Sequence, residues 1–326
     1  MNFALRLKKL QERLKNPVLL GSIDDFSSNL FYYTGIEDSA LVLITREKAF
    51  SFSSTQVDFC ENYSLRDFKK NFFALLKKNR VERLGVDERS NAARLVFKLL
   101  EKKVKLMPAY ANLYEQREVK DSSELALMKK AQKITRGLVS SCFEKSLGKT
   151  ENFFAGVLEQ KARFTGFSLN SFPPIIAVDA NAAIPHHKPS KTMIKKDSLL
   201  LVDCGVKVNN YCADYSTTFY SGKEFKDAVS AVKESMKSTL RKARPGVKGS
   251  ALTKHALSVL SEYGFQKNTF KDAGLSLGHQ VGLDVHEGVA RFDKLVLRKG
   301  MTITIEPGLY VPGKYGARFE EICFVN

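Results

Sequence analysis

The sequence predicts an α+β protein of two domains, a smaller α/β domain followed by a larger domain whose element order repeats. At 326 residues, 44% of them hydrophobic and 27% charged, the chain is long enough for more than one core. Its first part alternates helix and strand patterns, and its second part twice shows two helices followed by strands. A boundary before the helix-start signal at residue 121 predicts domains at 1–118 and 119–326.

The first domain is predicted from short apolar runs separated by helical patterns. An amphipathic helix is expected over residues 1–20, strands at 17–22, 40–45, 49–54 and 84–87, and helices at 64–80 and 91–105. This part shows no phosphate-binding loop and no cluster of candidate ligands. We expect the first domain to support or shape a site that belongs to the second.

The second domain is organised by helix signals. Residues 121–124, Asp-Ser-Ser-Glu, form a capping signature for a helix that ends near Gly148, and Thr150 caps a second helix that runs to about Gly166. Strands are predicted at 175–178 and 199–220. The order then repeats, with helices at 223–243 and 251–263 and strands at 301–311 and 317–325. This repetition favours a pseudo-twofold domain with a metal site between its halves.

The most informative stretch is residues 199–219, an apolar strand pair that carries two acids, Asp203 and Asp214. A turn centred between Val208 and Asn209 would place the two carboxylates directly opposite, with Cβ atoms roughly 4.5 to 5.5 Å apart. Two like charges at that distance in a buried sheet require a shared proton or a cation. The hairpin alone does not choose between a protonated pair and a metal site.

A second strand pair carries two more acids. Glu306 ends an alternating strand, and Glu320 is placed symmetrically to it about Gly313. Alone, Glu306 resembles an ordinary strand-end residue and Glu320 part of a polar edge. With the two aspartates they make four carboxylates at the ends of buried strands.

Four of the five histidines fall in loops beside these strands. His279 and His286 share a glycine-rich stretch, and His186 and His187 follow residues 181–185. Each by itself could be structural. Four carboxylates with one imidazole form an oxygen-rich ligand set that suits a catalytic Mn, Co, Fe(II) or Zn ion. A structural zinc site would use cysteines instead. Five ligands favour two ions roughly 3.5 to 4 Å apart, which generate hydroxide and polarise a carbonyl for hydrolysis.

The net charge of +17 raises the question of a nucleic-acid partner. Residues 1–120 carry 22 Lys/Arg and 15 Asp/Glu, and the remainder carries 30 and 20, so no arm concentrates the excess. We therefore expect solvated helix faces rather than nucleic-acid binding. Five cysteines without a CxxC pair predict reduced thiols, and the lack of a long apolar stretch predicts a cytoplasmic protein without membrane contact.

These motifs together resemble the pita-bread metallopeptidases, which comprise Xaa-Pro aminopeptidases, prolidases and methionine aminopeptidases, with creatinase as a metal-free relative. The resemblance rests on the order of the four acids and His279, on GHxxGLxxHE at 278–287, EPG at 306–308 and GxRxEE at 316–321. It covers residues 121–326 and implies a curved antiparallel sheet covered by helices. Residues 29–35 resemble, more weakly, the N-terminal domain of the proline-directed members.

The resemblance implies a role for each site residue. Asp203 would hold one metal ion, Asp214 and Glu320 would bridge two, and His279 and Glu306 would complete the other. Glu306 would also move a proton to the leaving amine. The remaining site residues would act on the substrate or on the ligands: His186 would contact substrate, His286 would steady the tetrahedral intermediate, and Arg318 would orient Glu320 or its neighbours.

The implied function is a dinuclear exopeptidase that hydrolyses Xaa-Pro bonds through a metal-bridging hydroxide. Two divalent ions are expected, Mn foremost and Co, Zn or Fe otherwise, with a homodimer as the assembly and a peptide with proline at its second position as substrate. The sequence does not distinguish a prolidase from an aminopeptidase P. The alternatives are an inactive pita-bread protein that binds a macromolecule and a creatinase-like hydrolase without metal; retention of five ligands disfavours both.

Three features depart from the family pattern. Thr217 stands where Arg often follows the second Asp motif, Gln280 replaces the Gly after the ligand histidine, and the chain stops at Asn326, where relatives continue another strand. We expect these differences to affect substrate preference and rate while leaving the ligand set intact.

Overall fold

The computed structural model describes residues 1–143 and 146–326, which form two compact units, residues 1–117 and 118–326. Within these described ranges, no helix combines the length and apolar character that crossing a membrane requires.

Unit 1 is a six-stranded sheet with five helices among its described residues. The strands follow the order β4-β3-β2-β1-β5-β6, with β1 antiparallel to β2, β2 antiparallel to β3, and the other pairs parallel. Its strands are β1 (Val18–Ser22), β2 (Ala40–Ile44), β3 (Ala49–Ser53), β4 (Glu61–Tyr63), β5 (Arg83–Val86) and β6 (Lys105–Pro108). Its helices are α1 (Phe3–Arg13), α2 (Ser28–Thr34), α3 (Phe68–Lys78), α4 (Ala93–Leu100) and α5 (Tyr110–Arg117).

The predicted α/β pattern of unit 1 is confirmed, with shorter helices than expected. One core packs α3 and α4 on the sheet, and Phe72 and Leu100 are fully buried there. The first helix ends at Arg13 rather than reaching residue 20, because the chain enters β1 at Val18. The periodicity did not reveal α2, α5, β4 or β6, all of which have at most eight residues.

The described part of unit 2 contains four long helices, arranged in two pairs along the chain: α6 (Ser122–Cys142), α7 (Glu151–Phe164), α8 (Lys226–Lys242) and α9 (Gly249–Glu262). The predicted capping box of α6 is confirmed, since Asp121 and Glu124 each accept from the other's backbone N–H. Thr150 caps α7 by accepting from the backbone N–H of Phe153. Glu144 and Lys145, which the predicted first helix included, lie outside the described residues.

The strands of unit 2 form short antiparallel ladders: β7 (Ile175–Val178), β8 (Leu199–Cys204), β9 (Lys207–Val208), β10 (Tyr211–Cys212), β11 (Tyr215–Tyr220), β12 (Thr302–Ile305), β13 (Gly308–Val311), β14 (Tyr315–Arg318) and β15 (Glu321–Phe324). The ladders are β11-β8-β7, β10-β9, β12-β15 and β13-β14. A β-bridge between Ser216 and Glu320 joins β11 to the chain between β14 and β15. In this bridge Glu320 N donates to Ser216 O at 3.0 Å.

Helices cover both faces of this sheet, and β8 shows how. Leu200 and Val202 pack in the core with α6 and α7, whereas Leu199 and Leu201 pack in the core with α8 and α9. A strand buried on both faces accounts for its continuous apolar run. Because side chains alternate along a strand, Asp203 points to the same side as Leu199 and Leu201.

Candidate metal centre

The two aspartates lie on neighbouring strand segments, but their predicted pairing is wrong by two residues. Asp203 on β8 is paired with Ser216, so Asp214 is its diagonal neighbour on the same face. The turn is centred between Asn209 and Asn210, whose φ angles are 45° and 67°. Two consecutive positive φ angles define the tight hairpin turn that Asn adopts readily, and this turn shifts the register.

The two glutamates face each other as their symmetry about Gly313 predicts. On one side of them Ile305 pairs with Glu321, and on the other Gly308 pairs with Arg318. Glu306 and Glu320 thus occupy the interruption between the two ladders. Such an interruption leaves both side chains free to turn toward the aspartates.

His279 stands at the centre of the carboxylates. Its Nε2 lies 3.4 Å from Asp214 Oδ2, 3.4 Å from Glu306 Oε1 and 4.0 Å from Glu320 Oε1. Ligand atoms of Asp214, His279 and Glu320 all lie within 4.8 Å of one another. Backbone pairing with Thr304 of β12 holds this histidine, since Thr304 N donates to His279 O at 2.8 Å.

The carboxylates are buried without enough donors to satisfy them. Asp203, Asp214 and Glu320 are only 5%, 4% and 2% exposed, and neither Asp203 Oδ1 nor Glu320 Oε1 has a hydrogen-bond partner among the residues that the structure describes. Burial, augmented by Asp214 and Glu306 against the opposing Arg318, raises the pKa of Asp203 to about 7. Burial and the three neighbouring acids raise the pKa of Glu320 well above its usual value. Bound cations would satisfy both orphaned oxygens, so these residues fit a metal site.

Glu306 and the two histidines respond to the same crowding. Burial raises the pKa of Glu306, and Asp214 adds to the rise, while His279 and Arg318 oppose it. Burial alone would lower the pKa of His279, but hydrogen bonding to Asp214 and the charge of Glu306 raise it to about 9. Burial and the charge of His279 lower the pKa of His286, whose ring centroid lies 4.1 Å from that of His279.

Arg318 reaches Glu320 indirectly and Asp203 directly. Its Nη2 donates to Asp203 Oδ2, and its Nε donates to Ser216 Oγ at 3.3 Å. Ser216 Oγ in turn donates to Glu320 Oε2 at 3.3 Å. Tyr310, which sequence reasoning missed, receives Arg318 Nη1 on its hydroxyl at 3.0 Å. The motif GLY directly after Glu306-Pro307 was the available signal for this tyrosine.

A cavity of about 590 Å³ opens over the centre. Its floor is formed by the five predicted ligands, and its walls include Arg318, His286 and His186. The structure therefore brings every predicted site residue to one cavity. Much of the remaining wall is apolar and is formed by Phe172, Pro173, Pro174, Ile175, Leu275 and Val285.

The two substitutions in the family pattern are both buried. Thr217 lies on β11 opposite Val202. Gln280 is 2% exposed, and its Nε2 donates to Glu118 Oε1 at 3.3 Å. Neither side chain displaces a ligand.

Comparison with known proteins agrees with this geometry. The model of metallopeptidase family M24 matches residues 126–326, more than half of the chain. A curated Xaa-Pro dipeptidase of Pyrococcus horikoshii is 32% identical over 218 residues, which cover 65% of this chain and 61% of that protein. An uncharacterised peptidase of Staphylococcus saprophyticus is 25% identical over 99% of this chain and 97% of its own length.

Solved structures extend the likeness across the chain. An X-Pro aminopeptidase of Thermotoga maritima has a TM-score of 0.84 and 26% identity, covering 99% of this chain and 97% of that chain. A prolidase of Thermococcus sibiricus has a TM-score of 0.85 and 27% identity over 100% and 95%. The fold is the pita-bread fold, as predicted. The chain belongs to metallopeptidase family M24.

Proposed function

We propose that the protein is a dinuclear metal-dependent exopeptidase that hydrolyses Xaa-Pro bonds. The observation that carries the proposal is the group of three buried carboxylates and the half-buried Glu306 around His279, with two orphaned oxygens, in the lining of a cavity. The dipeptidase and aminopeptidase relatives support the choice of substrate. Two divalent ions, Mn foremost, would lower the pKa of a shared water and polarise the scissile carbonyl.

The ligand roles follow from the family and are compatible with the contacts. Asp203 would hold one ion, Asp214 and Glu320 would bridge, and His279 and Glu306 would complete the second site. Arg318 would fix Asp203 directly and Glu320 through Ser216, so that their free oxygens point inward. This orientation is prepared before substrate arrives.

Three side chains would act on the substrate. The Glu306 carboxylate, whose pKa burial raises, is suited to take a proton and deliver it to the leaving proline nitrogen. His286 would donate to the carbonyl oxygen as it gains charge. His186, which is exposed in the cavity wall, would contact the peptide. The apolar wall would exclude water around the bond that breaks.

Peptide assays with defined metal content test this proposal. Metal-free protein reconstituted with Mn should release the first residue from Ala-Pro, Met-Pro or a longer Xaa-Pro peptide, and should leave Ala-Ala intact. Parallel samples with Co, Zn or Fe(II) identify the metal. Mn-loaded protein that binds metal and cleaves none of these peptides would contradict the proposal and favour a pita-bread protein that acts by binding.

The ratio of rates on a dipeptide and on a tripeptide extended beyond proline separates prolidase from aminopeptidase P. The homodimer stays a prediction, which light scattering would check.

The assignment of residues 1–118 as a domain like the N-terminal domain of the proline-directed pita-bread peptidases also stays a prediction.

A further inference from the structure

Outside the metal centre, unit 2 contains the buried carboxylate of Glu151, whose surroundings differ from those of that centre. Glu151 is the first residue of α7 and is fully buried. Its Oε1 accepts from Val178 N at 2.8 Å and from Asn181 Nδ2 at 2.9 Å. Its Oε2 accepts from His187 Nε2 at 2.9 Å, from Ser190 N at 2.8 Å and from Ser190 Oγ at 2.6 Å.

All these donors belong to one segment, residues 178–190, which leads from β7 into the cavity wall. Within it, residues 185–189 line the cavity and include His186. The start of α7 adds two backbone bonds at 3.0 Å: Asn152 N donates to Ser190 O within the segment, and Glu151 N donates to Thr192 O just beyond it. Among the described residues, the side-chain bonds that join this segment to α7 all end on one carboxylate.

The two adjacent histidines of this segment point to different surroundings. His187 is half-buried and bonds Glu151, whereas His186 is exposed. We propose that Glu151, acting through His187 and Ser190, is a positioning residue that holds His186 in the cavity wall for contact with the peptide. This inference rests on the proposed function, since it assigns a partner to the residue that would contact substrate.

Replacement of the carboxylate has a predictable physical effect. An ionised carboxylate accepts hydrogen bonds at both oxygens. A glutamine of the same size has an NH₂ group in place of one oxygen, and this group cannot accept from the donors that face it. Glu151→Gln therefore breaks the fastening at one oxygen without opening a cavity. Glu159→Gln is the matched control, because Glu159 lies on the same helix, is exposed and pairs with the exposed Arg163.

The experiment measures hydrogen exchange and peptide kinetics on Mn-reconstituted full-length protein. In Glu151→Gln, amides of residues 178–190 should exchange at least about tenfold faster, while those of β8 and the bound Mn stay unchanged. KM for an Xaa-Pro peptide should rise about 10-fold with a smaller change in kcat, in the range that loss of an orienting partner produces. Glu159→Gln should match wild type in amide exchange, bound Mn, KM and kcat.

A double-mutant cycle with His186→Ala separates positioning from general destabilisation. Because Glu151 acts through His186, Glu151→Gln should change KM less than about twofold once that histidine is gone. An equal rise in KM in both backgrounds, or unchanged exchange of residues 178–190, would overturn the positioning role. If Glu151→Gln fails to fold, Ser190→Ala and His187→Gln each remove part of the same fastening and should give the same pattern at smaller size.

The two proposals fail in different ways. Wild-type protein that cleaves no Xaa-Pro peptide overturns the proposed function. Exchange of residues 178–190 is measured without substrate, so an unchanged rate in Glu151→Gln overturns the positioning role whether or not the protein is a peptidase.

Discussion

Glu151 and Glu320 are both buried glutamates of unit 2, yet their environments shift the pKa values of their carboxyl groups in opposite directions. Burial would raise the pKa of Glu151, but hydrogen bonds from Asn181, Ser190 and His187 outweigh it and lower the pKa. Glu320 has an orphaned Oε1 and acidic neighbours, and its pKa is raised well above the usual value. A buried carboxylate whose donors are all protein groups stabilises a fold, whereas one that lacks donors is prepared for a cation.

Asp214→Asn should have the largest effect and tests whether the donor-poor group is a metal centre. The carboxylate proposed to bridge becomes a neutral amide, so at least one Mn should be lost. Activity should fall well beyond the roughly 10- to 100-fold expected for a lost orienting partner. Metal stoichiometry and kcat/KM on an Xaa-Pro peptide are the measurements, with exposed Asp197→Asn as control. Full activity in Asp214→Asn would contradict the bridging role.

Metal binding should release protons and tighten as pH rises. The pKa of His279 is about 9 in the metal-free protein, so this histidine is charged at neutral pH and must lose its proton to become a ligand. For one released proton, the apparent Kd for Mn should fall about tenfold for each pH unit below that value. Titration calorimetry in buffers of different ionisation enthalpy counts the protons. Binding with no proton release would show that His279 is not a ligand.

The two glutamates should differ in stability when metal is absent. Glu151→Gln loses charge-assisted hydrogen bonds and should lower the free energy of unfolding by about 2 to 3 kcal/mol. Glu320→Gln removes an unsatisfied charge site among other acids, so stability should stay unchanged or rise by about 1 kcal/mol. Urea unfolding in chelator, followed by circular dichroism, measures both. Equal destabilisation by the two variants would show that Glu151 and Glu320 do not differ in how their hydrogen-bond donors affect stability.

The last difference between the two sites should be a pH dependence of stability with opposite sign. Asp203 has a folded pKa of about 7, above its ordinary value, so the metal-free folded state holds a proton that the unfolded state releases. Its contribution to stability therefore falls as pH rises toward 7, by no more than about 1.4 kcal/mol per pH unit. Glu151 has a lowered pKa, so its contribution is present above the ordinary value and is lost on acidification.

Urea unfolding of metal-free protein between pH 3.5 and 7.5 checks this sign. Asp203→Asn should flatten the decline toward neutral pH and leave the acid limb unchanged. Glu151→Gln should flatten the acid limb instead. A decline toward neutral pH that persists in Asp203→Asn would assign it to other groups.

Sequence patterns predicted the elements that carry strong local signals. The capping box at Asp121, the cap at Thr150 and the apolar run of β8 are local features, and each appears as predicted. Positions of Glu306 and Glu320 about Gly313 were also recoverable, because a hairpin with a single glycine turn has a simple symmetry. Short elements such as α2 and β6 were missed, since too few residues repeat to show a period.

Contacts that join distant segments were the weakest part of the prediction. The pairing of Asp203 failed because two Asn residues with positive φ set the turn, and sequence spacing does not reveal their backbone angles. Arg318 was expected to orient Glu320 or its neighbours, but sequence spacing did not show that its Nη2 bonds Asp203, 115 positions away along the chain. Glu151 was not singled out, because an acid in the first turn of a helix ordinarily has a capping role.

The sequence by itself determined the longer helices and strands, the candidate ligands and the family, because these depend on residue chemistry and local spacing. Only the tertiary structure decided which carboxylates lack donors, which atoms Arg318 contacts and which of two adjacent histidines is fastened to α7. Burial and hydrogen-bond partners depend on atoms that many residues of chain separate. Two glutamates of identical chemistry therefore differ in pKa and role for reasons that appear only when the chain is folded.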